Sequence, residues 1–174
     1  ISEEMLSFAV DIARREGVQA EFLYGDITKL KLNAKTDFII AVNDCLNYVP
    51  QDKLYVAFSK VYKNLKCGGA FIFDISSEEK LKNDLGNNLF ADDGEDITFL
   101  WFNALKEDRV EMDITVFTRG ADGRYARADE RQTQYIHTEK SVVSALEGVG
   151  FAVETEGHLG GAKDKRINFI CRKL

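Results

Sequence analysis

Residues 38–48 read FIIAVNDCLNY, an apolar run followed directly by polar residues. A continuous apolar run of this kind is typical of a parallel strand that is buried on both faces. In open α/β sheets, ligands bind beyond the carboxyl ends of the strands. The stretch therefore predicts a buried strand over residues 38–42 and a candidate ligand-binding loop over residues 43–48.

The segments on either side alternate between helix and strand. Apolar residues recur at helical spacing after Ser2 and again after Pro50, and Gly68-Gly69 is expected to end the second helix. Residues 19–24 and 70–75 read as further strands. This order predicts an α/β fold with a Rossmann-like, mostly parallel sheet and flanking helices.

The middle of the chain departs from that pattern. Apolar and polar residues alternate between Arg109 and Val116, which is the period of an antiparallel strand with one wet face. Residues 96–137 are therefore predicted to form an inserted antiparallel meander. Beyond it, Thr138 caps a predicted helix that Gly150 ends, and a C-terminal antiparallel hairpin turns at Gly160-Gly161. No linker-like segment divides residues 1–174, so one domain is predicted.

Composition excludes several classes of protein. Lys and Arg number 23 against 29 Asp and Glu, and these charges are interspersed, which argues against binding to a nucleic-acid backbone. No apolar stretch reaches the ~20 residues that span a bilayer. Three cysteines without CxxC spacing indicate a reducing compartment, and the two histidines lack metal-ligand spacing. We expect a cytoplasmic protein, monomeric or homodimeric, without membrane or metal.

Two polar segments at predicted strand ends each allow two interpretations. Asp26 could accept a hydrogen bond from a ligand's exocyclic amine while Ile27 packs on its ring, or Asp26 could cap the next segment. Likewise, residues 43–48 could face a ligand, or Asp44 and Asn47 could cap the following helix. The residues alone leave both alternatives open.

Five segments together resemble a known family in their order and spacing. They are Ile1-Ser2-x-x-Met5-Leu6, Gly25-Asp26-Ile27, Asp37-Phe38-Ile39-Ile40, Leu46-Asn47-Tyr48 and Leu65-Lys66-Cys67-Gly68-Gly69. This succession resembles class I, S-adenosylmethionine-dependent methyltransferases, and more narrowly a small bacterial branch with a D-S-L-N-Y-L-like segment, here residues 43–49. The resemblance covers essentially the whole chain, although Cys67 replaces the family's proline.

The resemblance implies S-adenosyl-L-methionine as cofactor and direct methyl transfer to a small-molecule nucleophile. Asp26 would contact the adenine amine, Ile27 would flank the ring, and Met5 would lie near the adenine and ribose. The methionyl part of the cofactor would be bordered by Asn43, Asp44 and Leu46, and the methyl group or the substrate would be faced by the catalytic candidates Asn47 and Tyr48.

The resemblance also implies a glycine-rich loop and a ribose-binding acid that would precede Ile1. On this reading the first strand-helix-strand unit is missing, and we expect the chain alone to be incomplete. Gly148-Val149-Gly150 runs from helix into strand, whereas a nucleoside-cradling loop runs from strand into helix, so it is predicted to be a helix end.

Candidate substrate-binding residues lie on the predicted meander, which would cover the substrate as a subdomain. They are Trp101, Arg131 and Tyr135, although core packing or a solvated strand face would also explain them. His137 could be a general base, but a surface histidine before a helix cap is the preferred interpretation.

Two rival functions remain. A NAD-dependent oxidoreductase would share the helix and strand order but not the Asn47-Tyr48 loop or the meander. A non-catalytic relative would keep the fold as a binding module.

Overall fold

The computed structural model describes residues 3–156 and 165–174 of the chain. The α-helices in these ranges are α1 (Glu3–Arg15), α2 (Leu54–Asn64) and α3 (Glu139–Val149). The strands are β1 (Thr36–Ala41), β2 (Leu65–Ser76), β3 (Leu89–Asp93), β4 (Ile97–Leu105), β5 (Arg109–Arg119), β6 (Tyr125–Tyr135), β7 (Phe151–Glu156) and β8 (Arg166–Lys173). The predicted Ser2 cap and Gly160-Gly161 turn lie outside the described residues.

The first sheet has the strand order β1-β2-β8-β7. β1 and β2 are parallel, because α2 carries the chain back between them. β8 is antiparallel to both β2 and β7. The α/β class and the antiparallel C-terminal pair agree with the sequence prediction. A mostly parallel sheet is wrong for the described residues, since two of the three strand pairs are antiparallel.

The main core lies between the first sheet and the helices α2 and α3. Phe73 stacks against Phe71 on its own strand and against Phe169 on β8, with ring centroids 4.7 Å apart in both pairs. The helices contribute Leu54, Ala57, Phe58, Val61, Val142 and Leu146. This packing holds the carboxyl ends of β1 and β2 at a defined position beside each other.

β1 buries only one of its two faces. Ile39 and Ala41 pack against the main core, whereas Phe38 and Ile40 are 64% and 62% exposed. β1 is the edge strand of the sheet, and no helix among the described residues covers its outer face. The prediction of a strand buried on both faces is therefore wrong for this part of the chain.

The N-terminal segment contains the predicted helix but not the predicted strand. Acidic residues in the first turn of α1 and basic residues in its last turn suit the helix dipole, yet none of its residues is buried. Residues 19–24 have no regular secondary structure. A strand needs a hydrogen-bonded neighbour, and no described strand pairs with this segment.

Gly68-Gly69 lies in a bulge rather than at a helix end. α2 ends at Asn64, and β2 pairs first through Leu65 with Thr36 and then through Ala70 with Phe38. Between these two pairs, residues 66–69 of β2 stand opposite the single residue Asp37 of β1. Gly68 has a φ of +75°, and a Cβ atom on Gly69 would lie 2.9 Å from a carbonyl oxygen of β1. Both conditions favour glycine at a bulge.

The second sheet is antiparallel throughout, with the order β3-β4-β5-β6. β4, β5 and β6 correspond to the predicted meander. β3 was not predicted, because its sequence LFADD is short and almost wholly exposed, and so has no alternating burial pattern to detect. A second, smaller core of Leu81, Val110 and Met112 lies against this sheet.

Candidate functional site

Polar residues after β1 and near the end of β2 meet at the same edge of the sheet, as the parallel pairing requires. The main-chain N–H of Asp44 donates to Oδ1 of Asp74 at 3.3 Å. Arg166, the first residue of β8, contacts both carboxylates, with Nη2 3.2 Å from Oδ1 of Asp44 and Nη1 2.5 Å from Oδ2 of Asp74. The single positive charge of the guanidinium therefore offsets the repulsion between the two carboxylates.

The Asp44 side chain joins the β1 loop, defined here as residues 43–51, to residues of β2, β6 and β8. Its Oδ2 accepts from Nε2 of Gln134 at 2.9 Å and from Oγ of Ser76 at 3.4 Å. Asn43 and Asp44 both have left-handed backbones, with φ of 60° and 51°. Asn and Asp tolerate this conformation better than most residues, and such strain persists only where surrounding contacts hold it.

Asn47 connects the two sheets from inside the protein. Its Nδ2 donates to the main-chain carbonyls of Ser76 at 3.3 Å and of Tyr135 at 3.0 Å, and its Oδ1 accepts from the N–H of Ser76 at 2.9 Å. The side chain is 0% exposed. Its amide thus binds main-chain groups on both sides, and the expectation that Asn47 faces the methyl group or the substrate stays a prediction.

Tyr48 is the catalytic candidate that reaches the surface. It is 44% exposed, and its hydroxyl donates to Oε1 of Gln132 at 2.9 Å and accepts from Nε2 of Gln134 at 3.1 Å. Sequence reasoning did not single out either glutamine. Gln134 is buried, and its Oε1 has no partner among the described residues. The signal that could have identified the two glutamines is the pair of neutral amide side chains at the end of a strand that is otherwise rich in charged residues.

His137 is buried, which corrects the prediction of a surface histidine. Its Nε2 lies 3.2 Å from the carbonyl of Leu46 and 3.0 Å from that of Val49, and its Nδ1 lies 2.6 Å from Oε1 of Gln51. Carbonyl oxygens only accept, so Nε2 carries a proton and donates. In a neutral ring Nδ1 accepts, which requires the Gln51 amide to turn its nitrogen toward the ring. Burial lowers the pKa of His137 below its ordinary value of 6.5 and favours the neutral ring.

Asp26 caps the short 3₁₀ turn Ile27–Lys29, as one of the two sequence interpretations predicted. Its Oδ1 accepts from both the N–H and the hydroxyl of Thr28 at 2.8 Å. These bonds, led by the one from the Thr28 main chain, hold the pKa of Asp26 below its usual range. The carboxylate is exposed, whereas Ile27 packs partly against the main core.

The other cofactor candidates differ in exposure. Met5 lies on α1 and is 74% exposed, and Asn43 is also exposed. Leu46 is 1% exposed and belongs to the main core. Of the predicted cofactor residues in the β1 loop, Asn43 therefore presents its side chain outward, while Asp44 and Leu46 support the loop from within.

The three substrate candidates lie in different surroundings on the second sheet. Trp101 packs against the smaller core, with its ring 5.1 Å from that of Phe90 and its buried Nε1 unpaired among the described residues. Arg131 is exposed and pairs with Asp113 at 2.8 Å. Tyr135 is half-buried and offers its main-chain carbonyl to Asn47. Of these three residues, Tyr135 alone forms a hydrogen bond with the β1 loop in the described part of the chain.

Two further properties concern the described residues as a whole. None of their helices is both long and apolar enough to cross a bilayer. They also contain no cluster of three or more His, Cys, Asp or Glu side chains arranged to hold a metal ion.

Comparison with known proteins supports the resemblance. A family model described as a methyltransferase domain matches residues 1–69. An inferred methyltransferase of Geobacillus sp. (strain WCH70) is 30% identical over 181 residues, which span 99% of this chain and 73% of that protein. YqeM of Bacillus subtilis (strain 168), also an inferred methyltransferase, is 28% identical over 156 residues, which span 87% of this chain and 62% of YqeM.

A solved structure gives the same assignment. The S-adenosylmethionine-dependent methyltransferase from Clostridium acetobutylicum ATCC 824 superposes with a TM-score of 0.91 at 31% identity, over 99% of this chain and 72% of that one. Agreement in sequence and in fold over nearly the whole chain confirms the predicted family and its cofactor. The chain therefore belongs to the class I S-adenosylmethionine-dependent methyltransferases.

Proposed function

We propose that this protein transfers a methyl group from S-adenosylmethionine directly to a nitrogen, oxygen or carbon nucleophile of a small molecule. The observation that carries the proposal is the β1 loop. Asp44 and Asn47 hold it from inside, while the side chains of Asn43 and Tyr48 point outward beyond the end of a parallel strand. This is where ligands bind in open α/β sheets.

The exposed residues suit the proposed cofactor. Oδ1 of Asp26 already accepts two hydrogen bonds, whereas Oδ2 accepts none from the described residues and is available to the adenine amine. Asn43 would contact the methionyl part, and Met5 offers exposed apolar surface to the adenine and ribose. Ile27 would contribute only the part of its side chain that the core leaves uncovered.

The protein's own contribution to the reaction would be to position the reactants. Bound S-adenosylmethionine supplies an electrophilic methyl group on its sulfonium. Tyr48, whose hydroxyl is held between Gln132 and Gln134, would orient the acceptor in line with that group. The second sheet, with Trp101, Arg131 and Tyr135, would cover the acceptor and exclude water.

Isothermal titration of the full-length protein tests this function. We expect S-adenosylmethionine to bind and NAD to give no heat, and Asp26→Asn to weaken cofactor binding about tenfold. Asp122→Asn is a matched control, because Asp122 likewise accepts from the N–H two residues on, at 3.1 Å, in the β5–β6 turn. NAD binding would instead support an oxidoreductase, and absence of both signals would support a non-catalytic module.

A crystal structure with S-adenosylhomocysteine tests the residue assignments. We expect Asp26 and Asn43 to contact the ligand and the side chain of Tyr48 to lie on the side of the sulfur. A ligand bound away from Asp26 and Asn43 would contradict the proposed site while leaving the family assignment intact.

A further inference from the structure

Residues 132–137, here called the clamp segment, hold the β1 loop through side chains and main chain. Gln132 and Gln134 bind the Tyr48 hydroxyl, and Gln134 also binds the Asp44 carboxylate. The Tyr135 carbonyl accepts from Asn47. The clamp segment comprises the end of β6 and the two residues after it, so the second sheet contacts the loop at several successive positions.

His137 closes this set of contacts at its buried end. The ring is 0% exposed, and its Nε2 faces the carbonyls of Leu46 and Val49, which lie on either side of Asn47 and Tyr48. Leu46 lies within the short 3₁₀ turn Cys45–Tyr48, and Val49 directly follows it. A single donor therefore contacts both the turn that carries the catalytic candidates and the residue that ends it.

The loop has few ways to move while these bonds persist. The Leu46 carbonyl also accepts from the N–H of Val49, so loss of the His137 donor would leave the Val49 carbonyl unsatisfied, which costs about 1–3 kcal/mol. Asn47 and His137 are both fully buried, so water does not readily replace their bonds. The outward side chains of Asn43 and Tyr48 thus keep the positions that the clamp segment imposes on the loop.

We propose that the clamp segment positions the β1 loop for methyl transfer, with His137 as its principal positioning residue. This inference rests on the proposed function, in which the loop borders the cofactor. Because the ring is fully buried, His137 acts through the loop rather than by touching either reactant. A displaced loop would then weaken cofactor binding without removing any group that contacts the cofactor.

Titration of S-adenosylmethionine into full-length variants tests the proposal. His137→Leu keeps the volume but removes the donor, and we expect its Kd to rise about tenfold or more. His137→Gln, which retains an N–H donor, should restore the Kd to within about threefold of wild type. Val61→Ala is the control, since Val61 is buried in the main core near the end of α2, away from the clamp segment: it should lower Tm without changing the Kd.

Each result has a defined meaning. An unchanged Kd in folded His137→Leu, or an equal rise in Val61→Ala, overturns the positioning role. If His137→Leu does not fold, Gln132→Leu replaces it, because Gln132 lies at the partly exposed end of the clamp segment. That variant should raise the Kd several-fold, and no rise would overturn the proposal. Wild-type protein that binds no cofactor would instead overturn the proposed function.

Discussion

The side-chain amide of Asn47 donates a hydrogen bond to the main-chain carbonyl of Tyr135 across 3.0 Å, and this bond joins the β1 loop to the end of β6. The same side chain also binds both main-chain groups of Ser76 at the end of β2. The Asn47 side chain thus links the β1 loop to both sheets through hydrogen bonds.

Asn47→Ala should strongly destabilise the fold. It leaves buried main-chain groups at Ser76 and Tyr135 unpaired, so we expect the free energy of unfolding to fall by about 2–3 kcal/mol. Urea denaturation followed by circular dichroism measures this. Asn43→Gly is the control: Asn43 is exposed with positive φ, so glycine there should change stability by less than about 1 kcal/mol. Equal losses in the two variants would contradict the role of Asn47.

Arg166→Met should also destabilise the protein, because Asp44 and Asp74 would face each other without a cation. Asp74 is buried, whereas the Arg166 side chain is 25% exposed, so we expect a loss of about 3 kcal/mol, at the low end for a buried pair. The exposed ion pair between Lys66 and Asp37 is the natural comparison.

Their nitrogen and oxygen lie 2.8 Å apart at the surface, so Lys66→Met should cost less than about 1 kcal/mol. Chemical denaturation of both variants checks the contrast, and a small loss for Arg166→Met would show that the buried contacts do not depend on the guanidinium.

The buried His137 predicts a loss of stability in mild acid. Its pKa is lowered by burial in the folded state, while the unfolded chain titrates near 6.5, so the unfolded state binds more protons below that pH. This contribution is fully present above pH ~6.5 and is lost as the pH falls toward the folded-state pKa, with a slope of at most about 1.4 kcal/mol per pH unit.

Thermal denaturation of wild type and His137→Gln across this range measures the effect. The Tm of the wild type should fall more steeply below pH ~6.5 than that of the variant, because glutamine does not titrate. Parallel Tm curves would contradict a buried, neutral His137.

The three cysteines should differ in reactivity toward a thiol reagent such as Ellman's reagent. Cys67 is exposed, whereas burial raises the pKa of Cys171 to about 12. Burial, and secondarily the charges of Asp74 and Asp44, raises the pKa of Cys45. Because the thiolate is the reactive form, we expect one fast thiol in the native protein. Cys67→Ser should abolish the fast phase, and a fast phase that survives would contradict this assignment.

Local patterns predicted most of the individual elements. α2 begins at Leu54 as the helical spacing indicates, and Thr138 and Gly150 bound α3 as predicted. Predictions failed where an element depends on its neighbours. Residues 19–24 have strand character but no partner strand in the described part of the chain, and Gly68-Gly69 reads as a helix end until β1 is placed beside it. Neither dependence is visible in a local window of sequence.

The candidate site was only partly predictable for the same reason. The polar residues after β1 and β2 could be expected to meet, because parallel strands end at the same edge of a sheet. The contacts of Arg166 and Gln134 with these residues could not be predicted. Gln134 is 90 residues from Asp44 along the chain, and Arg166 is 92 residues from Asp74. His137 was misjudged because the sequence around it does not reveal the carbonyls of Leu46 and Val49 that satisfy its ring.

The sequence by itself determined the α/β class, the family resemblance and the position of the β1 loop, because burial periodicity and strand-end chemistry are local properties. The tertiary structure alone decided which side chains of the apolar-then-polar stretch face outward. Asn43 and Tyr48 do so, while Asp44, Leu46 and Asn47 support the loop from within. Exposure and hydrogen-bond partners depend on distant segments that folding brings into contact, so no single stretch of the sequence reveals them.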